Sequence, residues 1–156
     1  MIPEHLCSRK SNPDYALIIM TDIKSIQQGD LLPEREFQAD NVQLFFYNAV
    51  LWNAHRIHFD YPYATEVEGY PGLVLAGPLM GDWLSQCALE WMGDEGRLVS
   101  IEYSNRKASF IGEVLRSGGE VSSVDPGTGT VDLLLHIKNE AGEAITPGRA
   151  TVQFKV

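Results

Sequence analysis

Between Leu73 and Gly96 the chain reads LVLAGPLMGDWLSQCALEWMGDEG, and this segment constrains the fold more than any other. An apolar run meets Gly77-Pro78 and continues as Leu79, Met80, Trp83, Leu84, Cys87, Ala88, Trp91 and Met92, recurring at helical spacing. The pattern predicts a largely buried helix, with Pro78 in the first turn, where its missing N–H is not needed, and Gly93 just past the end. Downstream the reading changes to β-structure: strands over Leu98–Tyr103, Ala108–Val114, Gly119–Val124, Thr130–Lys138 and Ala150–Val156, separated by turns at SGG, DPGTG, NEAGE and TPG. Val131, Leu133, Leu135 and Ile137 alternate as a half-buried strand does. One core helix followed by an antiparallel meander is an α+β arrangement, and 156 residues suit one domain.

Upstream the signals are shorter. Gly29-Asp30 and Pro33 suggest a turn leading into a strand near Arg35–Ala39, and Asn41–Leu51 has apolar residues that suit a short helix with Asp40 as its N-cap. The first 19 residues carry Glu4, Asp14, Pro3 and Pro13, and their apolar run Ala16–Met20 is too short for a signal core or a membrane span. They are read as a loose extension, or as sequence upstream of a start at Met20, leaving residues 20–156 as the folded domain.

Charge and cysteine content narrow the function classes. A net charge of −9 repels polyanions, so nucleic acid is not an expected partner, and no segment suggests a membrane. Cys7 and Cys87 offer neither a disulfide framework nor metal-ligand spacing. A reducing, cytoplasmic location follows as the expectation.

The stretch Trp52–Gly72, WNAHRIHFDYPYATEVEGYPG, has no clean period and is crowded with aromatic, His and turn residues. Asn53, His55 and His58 stand together there, with Arg56 and Asp60 beside them. His55 and His58 share a face if the backbone turns helically, and two imidazoles beside an amide and a carboxylate can serve as acid and base. A metal needs three or four ligands, and only His55, His58 and Asp60 are on offer locally. The same histidines also fit an ordinary hydrogen-bonding role. Gly77 opens the core helix, where free N–H groups and the positive end of the macrodipole can hold an oxyanion; simple close packing explains a glycine there equally well.

The run NAHRIHFDYPYATEVEGYPGLVLAGPL, Asn53–Leu79, strongly resembles the signature segment of the MaoC-like hydratases and dehydratases, in particular the branch with mesaconyl-CoA (methylfumaryl-CoA) hydratases and hydroxyacyl-thioester dehydratases. The resemblance implies a single hot-dog domain, a curved antiparallel sheet wrapped round one central helix, pairing as a homodimer or higher oligomer. It also implies an acyl-CoA or acyl-carrier thioester as substrate and no separate cofactor. The family motif Asp-x-Asn-Pro-x-His falls with its His on His58, its Asp on Asn53, its Asn on His55 and its Pro on Arg56. The glycine whose N–H holds the thioester oxygen falls on Gly77, and the His that often precedes it is Ala76 here. His58, Asn53 and His55 are thus the expected catalytic group, and Gly77, Pro78, Arg56 and Tyr63 the oxyanion and substrate contacts. Trp52, Phe59, Tyr61 and Tyr63 would wall the pocket, and Arg106, Lys107 and Arg116 would meet the coenzyme's anionic groups. Two alternatives stand beside hydration: thioester hydrolysis, since water delivered to the carbonyl needs similar parts, and a non-catalytic subunit supporting an active partner, since an amide at Asn53 cannot take a proton as a carboxylate does.

Overall fold

The computed structural model describes residues 23–155. The 1–19 extension and the start at Met20 lie outside the described residues. Five strands form one antiparallel sheet: β1 (Leu31–Phe37), β2 (Gly96–Tyr103), β3 (Leu115–Asp125), β4 (Thr130–Lys138) and β5 (Ala144–Phe154), in the order β1-β3-β4-β5-β2. Two helices precede β2: α1 (Asn41–Val50) and α2 (Gly77–Met92).

Helix α2 lies across the sheet and buries Leu79, Met80, Gly81, Trp83, Leu84, Cys87, Ala88 and Met92, the stripe that its period predicts. Opposite it the sheet presents Leu115 and Val121 of β3, Val131, Leu133, Leu135 and Ile137 of β4, and Ala150, Val152 and Phe154 of β5. Leu84 is fully enclosed in this core; truncating such a leucine costs about 2–5 kcal/mol. Trp83 stacks on Phe37 of β1 at 4.4 Å between ring centroids, which fastens one sheet edge to the helix. At the other edge, a Cβ on Gly81 would fall onto the ring of Tyr103 of β2, so only glycine lets that ring lie against α2. Asp40 caps α1 as expected, its Oδ1 accepting from the Gln43 N–H at 2.7 Å.

Three expectations are corrected. Ala108–Val114 is not a strand of the sheet: it makes a single bridge, Phe110 to Val74, and then turns at Gly112, whose φ of +82° excludes most side chains. The segment is held by the chain leading into α2 instead of by the sheet, since Leu75 N–H donates to Ser109 O and Ile111 N–H to Leu73 O. The SGG at Ser117–Gly119 and the TPG at Thr146–Gly148 are not turns but strand interior, in β3 and β5. Gly119 pairs with Leu135, and a Cβ there would meet the Leu134 carbonyl, so this glycine marks close approach of two strands. Pro147 sits near an irregularity in the β4–β5 register, where a missing ladder donor is tolerated, and its carbonyl accepts from Ser104 N–H. The DPGTG and NEAGE turns fall between β3, β4 and β5 as read. β1 begins at Leu31, ahead of the expected start, with a register irregularity across Pro33.

Gly119→Ala tests the β3–β4 approach. Its Cβ would press on backbone, not on a yielding side-chain end, so overpacking should cost about 1–3 kcal/mol and lower the melting temperature. An unchanged melting temperature would show that the strands are not this close.

Candidate active site

Helix α1 delivers the first site residue. After its C-cap Leu51, Trp52 takes a left-handed φ of 55°, its N–H donating to Ala49 O, and Asn53 N–H donates to Asn48 O at 2.8 Å. This is a Schellman ending built without glycine, which costs on the order of 1–2 kcal/mol at Trp52. It fixes Asn53 beside the last turn. Asn53 Nδ2 then donates to Asn48 Oδ1 at 2.8 Å, and Asn53 Oδ1 accepts from His55 N–H at 3.2 Å. Asn48 is itself buried, at 2% exposure, with its Nδ2 on Leu44 O at 2.7 Å.

A short 3-10 turn, Arg56–His58, follows and turns the two histidines toward each other, ring centroids 5.7 Å apart and nearly perpendicular. His55 is exposed and His58 buried, at 7%. His58 Nδ1 lies 2.7 Å from Val74 O. A carbonyl only accepts, so Nδ1 carries the proton, and Nε2 of the neutral ring keeps its lone pair. Burial pushes the His58 imidazole below 6.5, opposed by the Val74 bond and reinforced by the neighbouring His55. Such a ring stays neutral at physiological pH and can take a proton at Nε2.

Val74 belongs to the extended segment that enters α2. Its N–H donates to Ile57 O at 3.0 Å, so one residue holds both the turn and the imidazole. Three residues on, Gly77 opens α2 with no side-chain cap from Ala76. Leu79 N–H is spent on Ala76 O and Pro78 has no N–H, while Gly77 N–H has no acceptor among the described residues. That donor, at the positive end of a helix of 16 residues, suits a developing negative charge. Pro78 is exposed beside it.

Arg56 and Tyr63 come together, but mainly with each other. The Arg56 guanidinium donates from Nε and Nη2 to Asp60 Oδ2 at 2.9 and 2.7 Å and lies 4.1 Å from the centre of the Tyr63 ring. The Arg56 hydrogen bonds, first, and the Tyr63 N–H hold the Asp60 carboxyl below its ordinary range, and Tyr63 OH donates to Glu68. Trp52, Phe59 and Tyr61 are exposed on the single chain, so they do not close a pocket by themselves. Of the basic trio, Arg116 pairs with Glu36 at 2.9 Å and Lys107 with Glu143. No group of three or more His, Cys, Asp or Glu among the described residues is arranged to hold a metal. Sequence reasoning missed Asn48 and the Val74 carbonyl. The first left a trace, a polar residue four after Leu44 on the buried stripe of α1; a backbone carbonyl leaves none.

Comparison with known proteins identifies the family. A family model, hydroxyacyl-thioester dehydratase type 2, matches residues 12–111. Mesaconyl-C(4)-CoA hydratase of Chloroflexus aurantiacus is 56% identical over 45 residues, 29% of this chain and 16% of that protein. The mitochondrial hydroxyacyl-thioester dehydratase type 2 of Schizosaccharomyces pombe is 48% identical over 44 residues, 28% of this chain and 15% of that protein. The matched segments thus span about a sixth of those relatives. Among solved structures, an (R)-hydratase from A. caviae superposes with a TM-score of 0.77 at 16% identity, over 85% of this chain and 99% of that one. The ChsH1-ChsH2 complex from Mycobacterium tuberculosis gives 0.74 at 15%, over 83% and 98%. The expected hot-dog fold is the fold observed.

Two measurements check the geometry. Nitrogen NMR of the histidines at pH 7 should show His58 as the neutral Nδ1–H tautomer, titrating below 6.5; an Nε2–H tautomer or a higher midpoint would contradict the Val74 bond. Because the folded-state value lies below the unfolded one, neutral His58 contributes stability that is present above about pH 6.5 and lost as pH falls through the folded value. Asn53→Asp would set a carboxylate against Asn48 Oδ1, whose amide cannot turn without leaving Leu44 O. The variant should lose about 1–3 kcal/mol at neutral pH and recover as acid protonates the new carboxyl; equal melting of both proteins at pH 7 would contradict the amide pair.

With a family match over residues 12–111 and one helix wrapped by five antiparallel strands, this chain belongs to the hydroxyacyl-thioester dehydratase type 2 family of MaoC-like, hot-dog hydratases and dehydratases.

Proposed function

We propose that the chain catalyses the reversible addition of water across the α,β double bond of an enoyl thioester, carried by coenzyme A or an acyl carrier. The observation that carries the reading is the His58 Nδ1–Val74 hydrogen bond, which leaves Nε2 as a free base held against the segment that leads into Gly77. In the hydration direction the thioester oxygen accepts from Gly77 N–H as negative charge moves onto it. His58 Nε2 takes a proton from water as the water oxygen bonds to the β-carbon. The enolate then collapses as the His58 imidazolium gives that proton to the α-carbon, so the sum is one water added and the imidazole is neutral again. His55 stands near enough to His58 to orient that water. Asn53 has one amide hydrogen and one lone pair left after its bonds to Asn48 and His55, and its part is to hold the turn.

The proposal includes assembly. β2 is an uncovered sheet edge with Val99 and Tyr103 exposed, and α1 presents Val42, Phe45, Phe46 and Val50 to solvent beside Trp52, which is 91% exposed. Apolar side chains and an unpaired edge of this kind call for a covering surface, and a second hot-dog copy supplies one. We propose a cytosolic location for the homodimer, on the two cysteines that offer no disulfide framework.

One observation favours a second reading. Asn53 occupies the carboxylate position and its amide is engaged with Asn48 and His55, which fits a supporting subunit whose partner supplies the chemistry.

Incubating the purified chain with enoyl-CoA substrates and following the conjugated thioester absorbance separates the readings. Hydration consumes the absorbance without releasing thiol; free thiol signifies hydrolysis, and no reaction without an added partner signifies the supporting role. His58→Ala should lower turnover about 10²- to 10⁴-fold, and a fully active, merely less stable variant would end the assignment.

A further inference from the structure

Gly77 has a second neighbour that the hydratase reading leaves unused. A Cβ built on Gly77 would fall onto Asn105 Nδ2, so the Asn105 amide fills the space where a side chain at the helix start would stand. Gly77 needs no unusual φ, and alanine is the better helix former by about 1 kcal/mol, so backbone freedom does not explain this glycine. What it permits is the approach of an amide. Asn105 lies just beyond the end of β2, in the turn where Ser104 N–H and Arg106 N–H donate to Pro147 O and Ile145 O of β5, which pins the backbone on both sides. Its side chain, though exposed, is oriented as well: Thr146 Oγ1, in a residue with no solvent exposure, lies 3.1 Å from Asn105 Oδ1 and 3.4 Å from Met80 Sδ, and the amide oxygen is the stronger acceptor for its one proton. With Oδ1 held there, the amide nitrogen is the atom turned to Gly77, and Nδ2 has no acceptor among the described residues.

Two N–H donors without acceptors, one from the backbone of Gly77 and one from the side chain of Asn105, therefore converge on the start of α2. We infer that Asn105 is a second hydrogen-bond donor to the thioester carbonyl oxygen, working beside the Gly77 N–H. The inference rests on the thioester reading of this site. A carbonyl oxygen has two lone pairs, and two donors stabilise enolate charge better than one. Thr146 is the positioning residue that sets the amide's sense.

The test uses the whole chain with crotonyl-CoA and the variants Asn105→Ala and Asn105→Asp. Asp keeps the shape and an oxygen for Thr146 but replaces the donor by an acceptor. Turnover should fall about 10²- to 10³-fold in Asn105→Ala and at least as far in Asn105→Asp, with melting temperatures close to wild type. A merely structural Asn105 gives the reverse order, Asp active and Ala impaired in step with its stability, and that order would overturn the proposal. A second readout does not need turnover: the carbon resonance of crotonyl-CoA labelled at the thioester carbonyl. Bound to wild type or His58→Ala it should be displaced in the sense of stronger hydrogen bonding, and both Asn105 variants should reduce the displacement. A wild type that binds without hydrating, yet shows an Asn105-dependent displacement, keeps the donor and removes the hydratase reading. Hydration with a carbonyl signal indifferent to Asn105 does the opposite, and a wild type that binds no enoyl-CoA removes both.

Discussion

The structure depends on the extended segment Leu73–Ala76 being held from both sides. On one side Val74 N–H bonds Ile57 O and Val74 O receives His58 Nδ1; on the other Leu75 N–H and Leu73 O pair with Ser109 and Ile111. All four residues are buried, so these backbone groups must find partners within the protein, and each bond left unmade would cost about 1–3 kcal/mol. One strap therefore sets the place of the imidazole, its tautomer and the start of α2. The chemistry inherits its geometry from a stretch of chain with no reactive side chain of its own.

The core keeps that strap in register with the sheet. α2 is anchored by Phe37 stacking on Trp83 at one edge and by Tyr103 lying over Gly81 at the other. Tyr47 OH donates to Asp82 at 2.7 Å, tying α1 to α2. Sliding the helix by one turn would break these contacts together, so the Gly77 N–H cannot drift relative to His58 without loss of core packing. Many of the exposed apolar residues lie on α1 and in the Trp52–Tyr61 stretch, with Val99 and Tyr103 on the β2 edge. Stability of the single domain and completion of its cleft are in this sense separate matters.

Asn53 shows how a motif position changes meaning with its neighbours. A carboxylate there could exchange a proton but would face Asn48 Oδ1 with no donor, whereas the amide makes complementary bonds, donating to Asn48 and accepting from His55. Asn48 accepts only because its own nitrogen is occupied by the α1 backbone. The pair of amides is a self-consistent arrangement, and neither member exchanges easily for a charged group. In the proposed reaction proton transfer then falls to His58, and the turn that carries it is tied to α1 through the two amides.

Periodicity and local chemistry along the chain sufficed for α2, for α1 with its Asp40 cap, for the helix-then-meander order and for the cluster around His58, because helical spacing, turn residues and caps act over a few positions. The SGG and TPG segments read as turns because glycine and proline usually punctuate; in the fold they lie within strands, where Gly119 admits a neighbouring backbone and Pro147 sits near a register irregularity, facts that depend on a partner strand. Ala108–Val114 alternates like a strand yet pairs with the strap instead of the sheet, since its donors reach Leu73 before any strand. The bond from His58 to a carbonyl 16 residues away, and the amide of Asn105 beside Gly77, were likewise decided by tertiary structure. The residue types that can do this chemistry are local choices written in the sequence, whereas which atom carries the proton and which donor faces the substrate depends on partners that only folding brings within hydrogen-bond distance.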